Sequence, residues 1–229
     1  MALCGKGMLI TFTEVKRRDE QDFNEWYNRE HIDERVNLPG FKRARRYVAV
    51  KGSPKYFATY ECSKVDDLAT PGYLALLANQ TPWSQKVMAG FTRFNRYTLR
   101  IQVDLTQGEG GALTCLRFAP DLHSRLPLIA WLRDVALPQA IARPGMLGAA
   151  AGENDLDIAN APAKAAATSW GSDYPRPDEP EWVVLLESAE AAAGEAAARA
   201  LFKLAALKKF GATKAPTIGS YRLLYGNSR

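Results

Sequence analysis

The fold is decided by residues Phe23 to Phe41, which read FNEWYNREHIDERVNLPGF. A helix advances about 100° per residue, so six side chains of this stretch lie within an arc of about 140° on one helical face. They are Phe23, Trp26, Tyr27, Glu30, His31 and Glu34. The face begins as an aromatic core face and then presents one imidazole and two carboxylates. Burying such groups without partners costs roughly 2 kcal/mol or more each, so the pattern predicts a cleft that uses them.

The same pattern recurs 105 residues later, where Leu128 to Met146 read LIAWLRDVALPQAIARPGM. Trp26 corresponds to Trp131, and Pro39-Gly40 corresponds to Pro144-Gly145. A match of this spacing predicts an internal duplication.

The duplication also predicts where the site lies. Three polar residues of the first copy change in the second: Glu30 becomes Val135, His31 becomes Ala136 and Glu34 becomes Gln139. The second copy keeps its core anchors but loses the charged face. We therefore expect one site per chain, in the first copy, with the second copy acting mainly as scaffold.

Alternating apolar residues and turn signals place strands around both helices. In the first copy we predict strands at Gly7–Val15, Phe41–Val50, Pro54–Ser63 and Phe91–Leu105, with a second helix over Asp66–Asn79 that Pro71-Gly72 interrupts and a further short helix opened by Thr81-Pro82-Trp83. In the second copy we predict strands at Ala112–Ala119, Glu181–Ala189 and Ser220–Tyr225, and helices at Leu126–Ile141 and Glu190–Phe210. The order βαββαβ is that of the ferredoxin-like unit.

Two such units in one chain predict an α+β fold. Each four-stranded antiparallel sheet carries helices on one side, so the two bare faces can bury each other as a pseudo-twofold dimeric α/β barrel. We expect residues 1–105 to form the unit that carries the site, residues 106–111 to be a linker, and residues 112–229 to form a degenerate second unit. The composition of residues 152–180 predicts a long loop within that second unit.

The net charge of +5 lies in the first copy, where residues 1–105 hold 17 Lys and Arg against 12 Asp and Glu. The dense basic run from Lys42 to Arg46 falls in a predicted strand, whose alternate side chains point to opposite faces and divide the charge. This pattern argues against a nucleic-acid partner and favours a small anionic molecule.

Three further observations bear on the compartment. There is no run of 18 apolar residues, which argues against a membrane partner, and no charged segment followed by an apolar one precedes Cys4. Cys4, Cys62 and Cys115 are an odd number and far apart, which predicts neither a disulfide framework nor a CxxC metal site. We expect a cytoplasmic protein.

The spacing Phe-x-x-Trp-Tyr-x-x-Glu-His-x-x-Glu-Arg-x-x-x-Pro-Gly-Phe over Phe23–Phe41 resembles the EthD-like branch of the dimeric α/β-barrel superfamily. The segments ARRY at 44–47, PKYFATYE at 54–61, YLALLAN at 73–79 and TPW at 81–83 resemble it too. The likeness is dense over residues 7–101 and thin afterwards. It implies the paired-sheet barrel and a place among small cofactor-free monooxygenases, polyketide cyclases, muconolactone isomerases and haem-degrading enzymes. Members of this kind are often linked to the breakdown of aromatic or ether compounds.

His31 is the candidate general acid or base, because an imidazole titrates near neutrality. Glu34 or Glu30 could orient its ring or accept its proton. Aromatic and basic side chains could line a pocket for a planar, acidic substrate; the candidates are Trp26, Tyr27, Arg45, Tyr47, Tyr60 and Trp83. The alternative is that these groups are ordinary core and ion-pair residues.

Neither a cofactor nor a metal ion is expected. The motifs GxGxxG, GxxxxGK[ST], GxSxG and HExxH do not occur. Glu30, His31 and Glu34 have helical spacing for metal ligands, but a second well-placed histidine is lacking. Haem ligated by His31 is a further alternative that the two adjacent carboxylates disfavour.

The leading hypothesis is a cofactor-free enzyme acting on a small hydrophobic molecule, aromatic or polyketide-like, in an isomerase, cyclase or monooxygenase-type reaction. A non-catalytic protein that binds such a molecule, or a purely structural barrel, is the alternative. A homodimer of the two-unit chain stays open.

Overall fold

A computed structural model describes residues 3–165 and 181–229 of the chain. Eight antiparallel strands form a closed barrel in the order β1-β3-β2-β8-β5-β7-β6-β4, which confirms the predicted fold class. The strands are β1 Gly7–Val15, β2 Phe41–Lys51, β3 Tyr56–Cys62, β4 Phe91–Asp104, β5 Ala112–Phe118, β6 Met146–Asn154, β7 Trp182–Ser188 and β8 Thr217–Ser228.

Each half of the chain contributes one ferredoxin-like sheet. The first half supplies the order β4-β1-β3-β2 and the second supplies β8-β5-β7-β6. Two seams join them, because β2 pairs with β8 and β4 pairs with β6. The exact bounds of the two units, and the linker at 106–111, stay predictions.

The helices lie on the outer faces of the two sheets. They are α1 Glu20–Trp26, α2 Ile32–Val36, α3 Pro71–Ala78, α4 Pro82–Met88, α5 Arg125–Trp131, α6 Leu137–Ile141, α7 Leu156–Lys164, α8 Ala191–Leu201 and α9 Leu204–Leu207. Short 3₁₀ turns occur at Arg17–Asp19, Val65–Ala69, Leu122–Ser124 and Lys208–Phe210. Thr70 and Thr81 cap α3 and α4 by accepting from backbone N–H groups, and proline occupies the first helical turn of both.

The elements recur at the offset that the sequence repeat predicts. α1 and α5 begin 105 residues apart, and so do α2 and α6. Gly40 and Gly145, which both adopt positive φ, are also 105 residues apart. Between α1 and α2 lies a π-helical turn, Tyr27–His31, and between α5 and α6 lies its counterpart, Leu132–Ala136. The π turn therefore belongs to the repeated unit and not to the site alone.

Both faces of the two sheets are packed over most of their area. Inward-facing side chains of both halves, among them Phe12, Phe57, Leu185 and Tyr221, fill the barrel interior. Outward-facing side chains pack under the helices in one cluster per half. Since the strands alternate their side chains, each strand contributes to the barrel interior and to a helix-facing layer.

The prediction of a long loop at 152–180 is wrong for its first part. Residues 152–154 belong to β6 and Leu156–Lys164 form α7, while residues 166–180 lie outside the described residues. The Asp155 side chain caps α7 by accepting from the N–H of Ile158 at 3.1 Å. The predicted helix over 190–210 is also divided, because α8 ends at Leu201 and α9 begins at Leu204. In the residues that the structure describes, no helix is long and apolar enough to cross a bilayer.

Gly40 is required by its backbone angle and by its neighbours. Its φ is +92°, and a Cβ there would lie 2.4 Å from Cγ of Asp67, whose carboxylate accepts from the N–H of Lys64. We expect Gly40→Ala to lower the free energy of unfolding by at least about 1 kcal/mol. The matched control is Gly72→Ala at the start of α3, where a Cβ meets nothing within 4 Å. Equal urea midpoints for the two variants would contradict the prediction.

Candidate functional site

The π turn changes which side chains of the helix face the sheet. A π turn contains one residue more than an α turn, so every side chain after it moves round the axis by about one position, or about 100°. Arg35 accordingly takes the buried position that regular helical spacing assigns to Glu34. Glu34 stays partly exposed, and its Oε2 lies 3.4 Å from Nη1 of Arg35.

A cavity of about 60 Å³ lies between the helical segment that contains the π turn Tyr27–His31 and the outward face of the first sheet. We call it the His31 cavity. Its lining residues are Leu9, Thr11, Trp26, Tyr27, His31, Arg35, Tyr60, Tyr73, Leu77, Gln80, Met88, Phe91, Phe94 and Arg96. It has room for several water-sized groups and lies outside the barrel interior, which is packed.

Strand register brings the sheet residues of the cavity together. Thr11 on β1 is the cross-strand partner of Arg96 on β4, and Leu9 on β1 is the partner of Tyr60 on β3. The imidazole of His31 packs above them, with its ring centroid 4.1 Å from Trp26 and 6.2 Å from Tyr60.

Three buried polar atoms of the cavity wall have no hydrogen-bond partner among the described residues. They are Nδ1 of His31, the hydroxyl of Tyr60 and Oγ1 of Thr11. Buried polar atoms are nearly always paired, so these three, carried by residues that line one cavity, mark it as the candidate site. A similar unpartnered group lies in the barrel interior, at Nε of Arg45, the hydroxyl of Tyr47 and Oγ1 of Thr59. Some of the His31 surface remains open to solvent, although its Nδ1 does not.

Burial sets the protonation states here. Burial, followed by the charges of Arg35 and Arg46, holds the pKa of His31 well below its ordinary value, so its ring is neutral near pH 7. Burial, followed by the nearby Tyr27, raises the pKa of Tyr60 well above its ordinary value. The Tyr60 hydroxyl has no hydrogen-bond partner among the described residues, although Tyr27 is close enough to affect its pKa. The cavity thus presents a neutral imidazole and a protonated phenol.

The described cavity wall contains two buried arginines, of which Arg35 pairs with the carboxylate of Glu34 beside it. Arg35 and Arg96 are 3% and 6% exposed, and neither Asp nor Glu occurs among the described lining residues. Arg96 donates to the hydroxyl of Tyr73 at 3.1 Å and to the carbonyl of Ala159 at 3.2 Å. Since Ala159 belongs to α7, a helix of the second half covers part of the first half's site.

The second half fills the equivalent space with apolar side chains. Strand and helix register match six cavity residues to six counterparts, listed as pairs: Thr11 and Leu116, Tyr27 and Leu132, His31 and Ala136, Arg35 and Ala140, Tyr60 and Leu186, Arg96 and Ile218. All six counterparts belong to or pack against one hydrophobic cluster. The same architecture therefore folds without these polar groups, and their concentration in the first half has no structural requirement.

Glu30 lies outside the cavity wall and binds the helices together. Its Oε1 accepts from the indole of Trp26 at 3.2 Å and from the hydroxyls of Thr81 at 2.6 Å and Ser84 at 3.1 Å. Thr81 and Ser84 belong to the start of α4, so the carboxylate connects α1 to α4. This places Glu30 and Glu34 beside the cavity, while His31, Trp26, Tyr27 and Tyr60 line it.

Arg45 and Tyr47 point into the barrel interior, away from the His31 cavity. Arg45 pairs with Glu187 at 3.0 Å and approaches Glu61 at 3.6 Å, which joins the two halves. Burial raises the pKa of Tyr47, which lies under the Arg45 guanidinium. Trp83 donates to Asp22 at 3.0 Å and packs at the edge of the helix layer. The structure therefore does not bring these three residues to the cavity.

Thr11, Arg35 and Arg96 were not among the residues that the sequence predicts for the site. Thr11 and Arg96 meet only through strand register, and Arg35 enters only because of the π turn. One signal was available in the sequence, because the residues of the second copy that correspond to these three are apolar. In the described part of the chain, no three His, Cys, Asp or Glu side chains are grouped so that they could hold a metal ion.

No family model and no curated protein matches the sequence. Solved structures match it over nearly its whole length. An anthrone oxidase-like protein has a TM-score of 0.69 and 11% identity, with 100% of this chain and 95% of that chain covered. A protein of Lactobacillus acidophilus, provisionally named a monooxygenase, has a TM-score of 0.56 and 11% identity, with 97% and 95% covered.

A variant of chlorite dismutase from Candidatus Nitrospira defluvii has a TM-score of 0.50 and 10% identity, with 95% and 92% covered. At such identities the likeness establishes the fold alone. The chain has the dimeric α/β-barrel, ferredoxin-like fold, and the EthD-like branch stays a prediction.

Glu30→Ala is expected to lower the free energy of unfolding by roughly 1–3 kcal/mol, because three donors lose one shared acceptor. The matched control is Glu25→Ala on the same helix, whose carboxylate forms an exposed pair with Arg29 and should change stability by less than about 1 kcal/mol. Urea unfolding of both variants measures the difference. Equal losses would show that the network around Glu30 contributes nothing beyond a surface pair.

Stability should depend on pH through His31. The unfolded chain binds a proton on this residue near pH 6.5, whereas the folded protein resists it because burial and Arg35 lower the pKa. Relative to a His31→Asn variant, the wild type should therefore lose stability as the pH falls from 7 towards 5. The difference in unfolding free energy should be constant above about pH 8. A difference that is independent of pH across this range would refute the assignment.

Proposed function

We propose that the protein is a cofactor-free enzyme that removes a proton from a small hydrophobic, aromatic or polyketide-like molecule, with His31 as the base. The observation that carries the proposal is the unpartnered Nδ1 of His31 in a cavity whose counterpart in the second half is filled by apolar side chains. A group retained without a partner, at a cost in stability, is typical of a functional site.

The state of the imidazole suits a base. Because its pKa is lowered, the ring carries a free lone pair over the whole neutral range. With the proton of the neutral ring on Nε2, Nδ1 is the atom that takes the substrate proton. A negative charge that develops on the substrate raises the affinity of the adjacent imidazole for that proton.

The remaining cavity groups suit the anion that proton removal creates. The protonated hydroxyl of Tyr60 can donate to an enolate or phenolate oxygen, and the guanidinium of Arg35 supplies positive charge in a buried setting. Trp26, Phe91 and Phe94 offer aromatic surface for the body of the substrate.

Isomerisation, cyclisation and oxygenation can all begin with this step, and the fate of the anion distinguishes them. In the oxygenase case dioxygen is the oxidant and reacts with the substrate carbanion. The name of the anthrone oxidase-like neighbour supports a ketone with an acidic C–H as the first probe. A role in the breakdown of aromatic compounds, the EthD-like assignment and a cytoplasmic location all belong to this proposal.

Binding without reaction is the second candidate. The cavity of about 60 Å³ is smaller than the pockets of several hundred Å³ that usually hold drug-sized ligands, so a bulky substrate requires the helix layer to move. A protein that only holds a small acid would need the same donors but no base.

Hydrogen–deuterium exchange separates the two candidates without an assumption about the later steps. Anthrone and 2-tetralone are incubated with the protein in D₂O without oxygen, and NMR follows the loss of the acidic C–H signal. We expect the wild type to accelerate exchange for at least one probe. The protein-catalysed exchange rate of His31→Gln should be at least about 100-fold lower than that of the wild type. Tyr60→Phe should lose about tenfold or more, because the developing oxyanion loses a donor.

The matched control is His123→Gln, which removes the other histidine of the chain, an exposed residue outside the cavity. It should exchange at the wild-type rate. Admission of oxygen to the anthrone sample then tests oxygenation, since anthrone and O₂ would give anthraquinone and water. Two results together would contradict the enzyme and favour the binding protein. Both probes would exchange at the rate seen in buffer alone, and His31→Gln would bind them as tightly as the wild type does.

A further inference from the structure

Arg46 is a buried cation that the His31 chemistry does not use. It is 2% exposed and points to the helix-facing side of β2. Its guanidinium carbon lies 4.7 Å from the ring centroid of Tyr27 and 5.8 Å from that of Tyr56. A buried charge normally has a carboxylate partner, yet among the described residues no Asp or Glu forms an ion pair with Arg46.

The hydrogen bonds of Arg46 leave part of its donor set unused. Nη1 donates to the carbonyl of Asn24 at 3.2 Å and to Oδ1 of Asn28 at 2.8 Å, and Nη2 donates to Oδ1 of Asn24. A guanidinium has five N–H donors. Within the described structure, the Nε–H and one Nη2–H therefore have no partner, and all three acceptors are uncharged.

An open groove of about 380 Å³ lies against Arg46, and we call it the Arg46 groove. It is lined by Asn24, Asn28, Arg46, Val48, Lys55, Tyr56, Arg222 and Leu224. It crosses the seam between the two halves, because Val48 on β2 is the cross-strand partner of Arg222 on β8. The His31 cavity is separate from it and shares none of its lining residues.

The groove combines positive charge with apolar surface. Arg46, Lys55 and Arg222 supply three cations, of which Lys55 pairs with Glu20 at 2.5 Å. Arg222 is exposed and forms no ion pair with the described residues. Leu224, at 39% exposure, is one of the few large apolar side chains open to solvent, and it adjoins Val48 and Tyr56 in the groove.

The second half again lacks the feature. Arg46 corresponds to Ala151, which is 1% exposed in the hydrophobic cluster of that half, and Asn24 corresponds to Ile129, which packs against the same cluster. An apolar residue thus serves the fold at this position. The buried cation and the amides that hold it are particular to the first half.

We propose that the Arg46 groove is a second binding site, for a small organic anion whose carboxylate or phosphate head meets Arg46 and Arg222 and whose apolar part lies on Tyr56, Val48 and Leu224. A head group with two or more oxygens on one centre can accept hydrogen bonds from the N–H groups of Arg46 that have no protein partner. The site is independent of the proton-abstraction chemistry, and the anion there is not the substrate.

Calorimetric titration of the full chain at constant ionic strength tests the site with benzoate, phenyl phosphate and uncharged benzyl alcohol. We expect at least one of the two anions to bind and benzyl alcohol not to bind. The anion that binds with the higher affinity identifies the preferred head group. Arg222→Gln changes an exposed residue and should preserve the fold. It should lower the affinity for the anion about fivefold to tenfold. Lys55→Gln should weaken it less, because Glu20 already neutralises Lys55.

Arg143→Gln is the matched control, since it removes an exposed arginine outside the groove and should bind as the wild type does. His31→Gln should also leave anion binding unchanged. The proposal is overturned if neither anion binds, if benzyl alcohol binds as tightly, or if Arg222→Gln has no effect. It is likewise overturned if His31→Gln abolishes binding while Arg222→Gln does not, because the anion would then occupy the His31 cavity. None of these results depends on whether the protein exchanges a substrate proton.

Discussion

Hydrogen bonding of β2 to β8 and of β4 to β6 closes the sheet, and the rest of the structure depends on this closure. A closed sheet with helices outside it buries most of both faces, so each strand side chain that is buried there needs either apolar neighbours or a polar partner. Glu61 and Glu187 meet this demand inside the barrel by pairing with arginines, while Nε of Arg45 and the hydroxyl of Tyr47 there also lack a hydrogen-bond partner in the described structure. The unpartnered atoms around His31 depart from it, and the second half shows that the departure is not forced by the architecture.

Much of this arrangement could be predicted from the sequence. The Trp and Pro-Gly repeat at an offset of 105 residues predicted the duplication, and alternating apolar residues predicted most of the strands. Helical periodicity also selected His31, Trp26 and Tyr27, because these residues precede or lie within the π turn and keep the predicted face. Tyr60 was selected as an aromatic side chain that could line a pocket, within a segment that resembles the EthD-like branch.

The rest could not be predicted, for three physical reasons. The π turn moves Arg35 to the buried face and Glu34 away from it, and sequence periodicity assumes a constant angle per residue. Thr11 and Arg96 are 85 residues apart and meet only through strand register. β6 was not predicted, because alanine and glycine supply five of its nine residues and give no clear alternation. α7 was missed within the predicted loop, because Pro162 lies inside the helix.

The joining of both sheets in one polypeptide has a consequence for how the barrel persists in solution. A barrel assembled from two separate chains obeys mass action and comes apart on dilution, whereas tethered halves meet at an effective concentration that dilution cannot lower. Two identical chains must also carry every residue twice. Within one chain the halves are free to diverge, so one can specialise in ligands while the other supplies α7 as a cover and an apolar core as support.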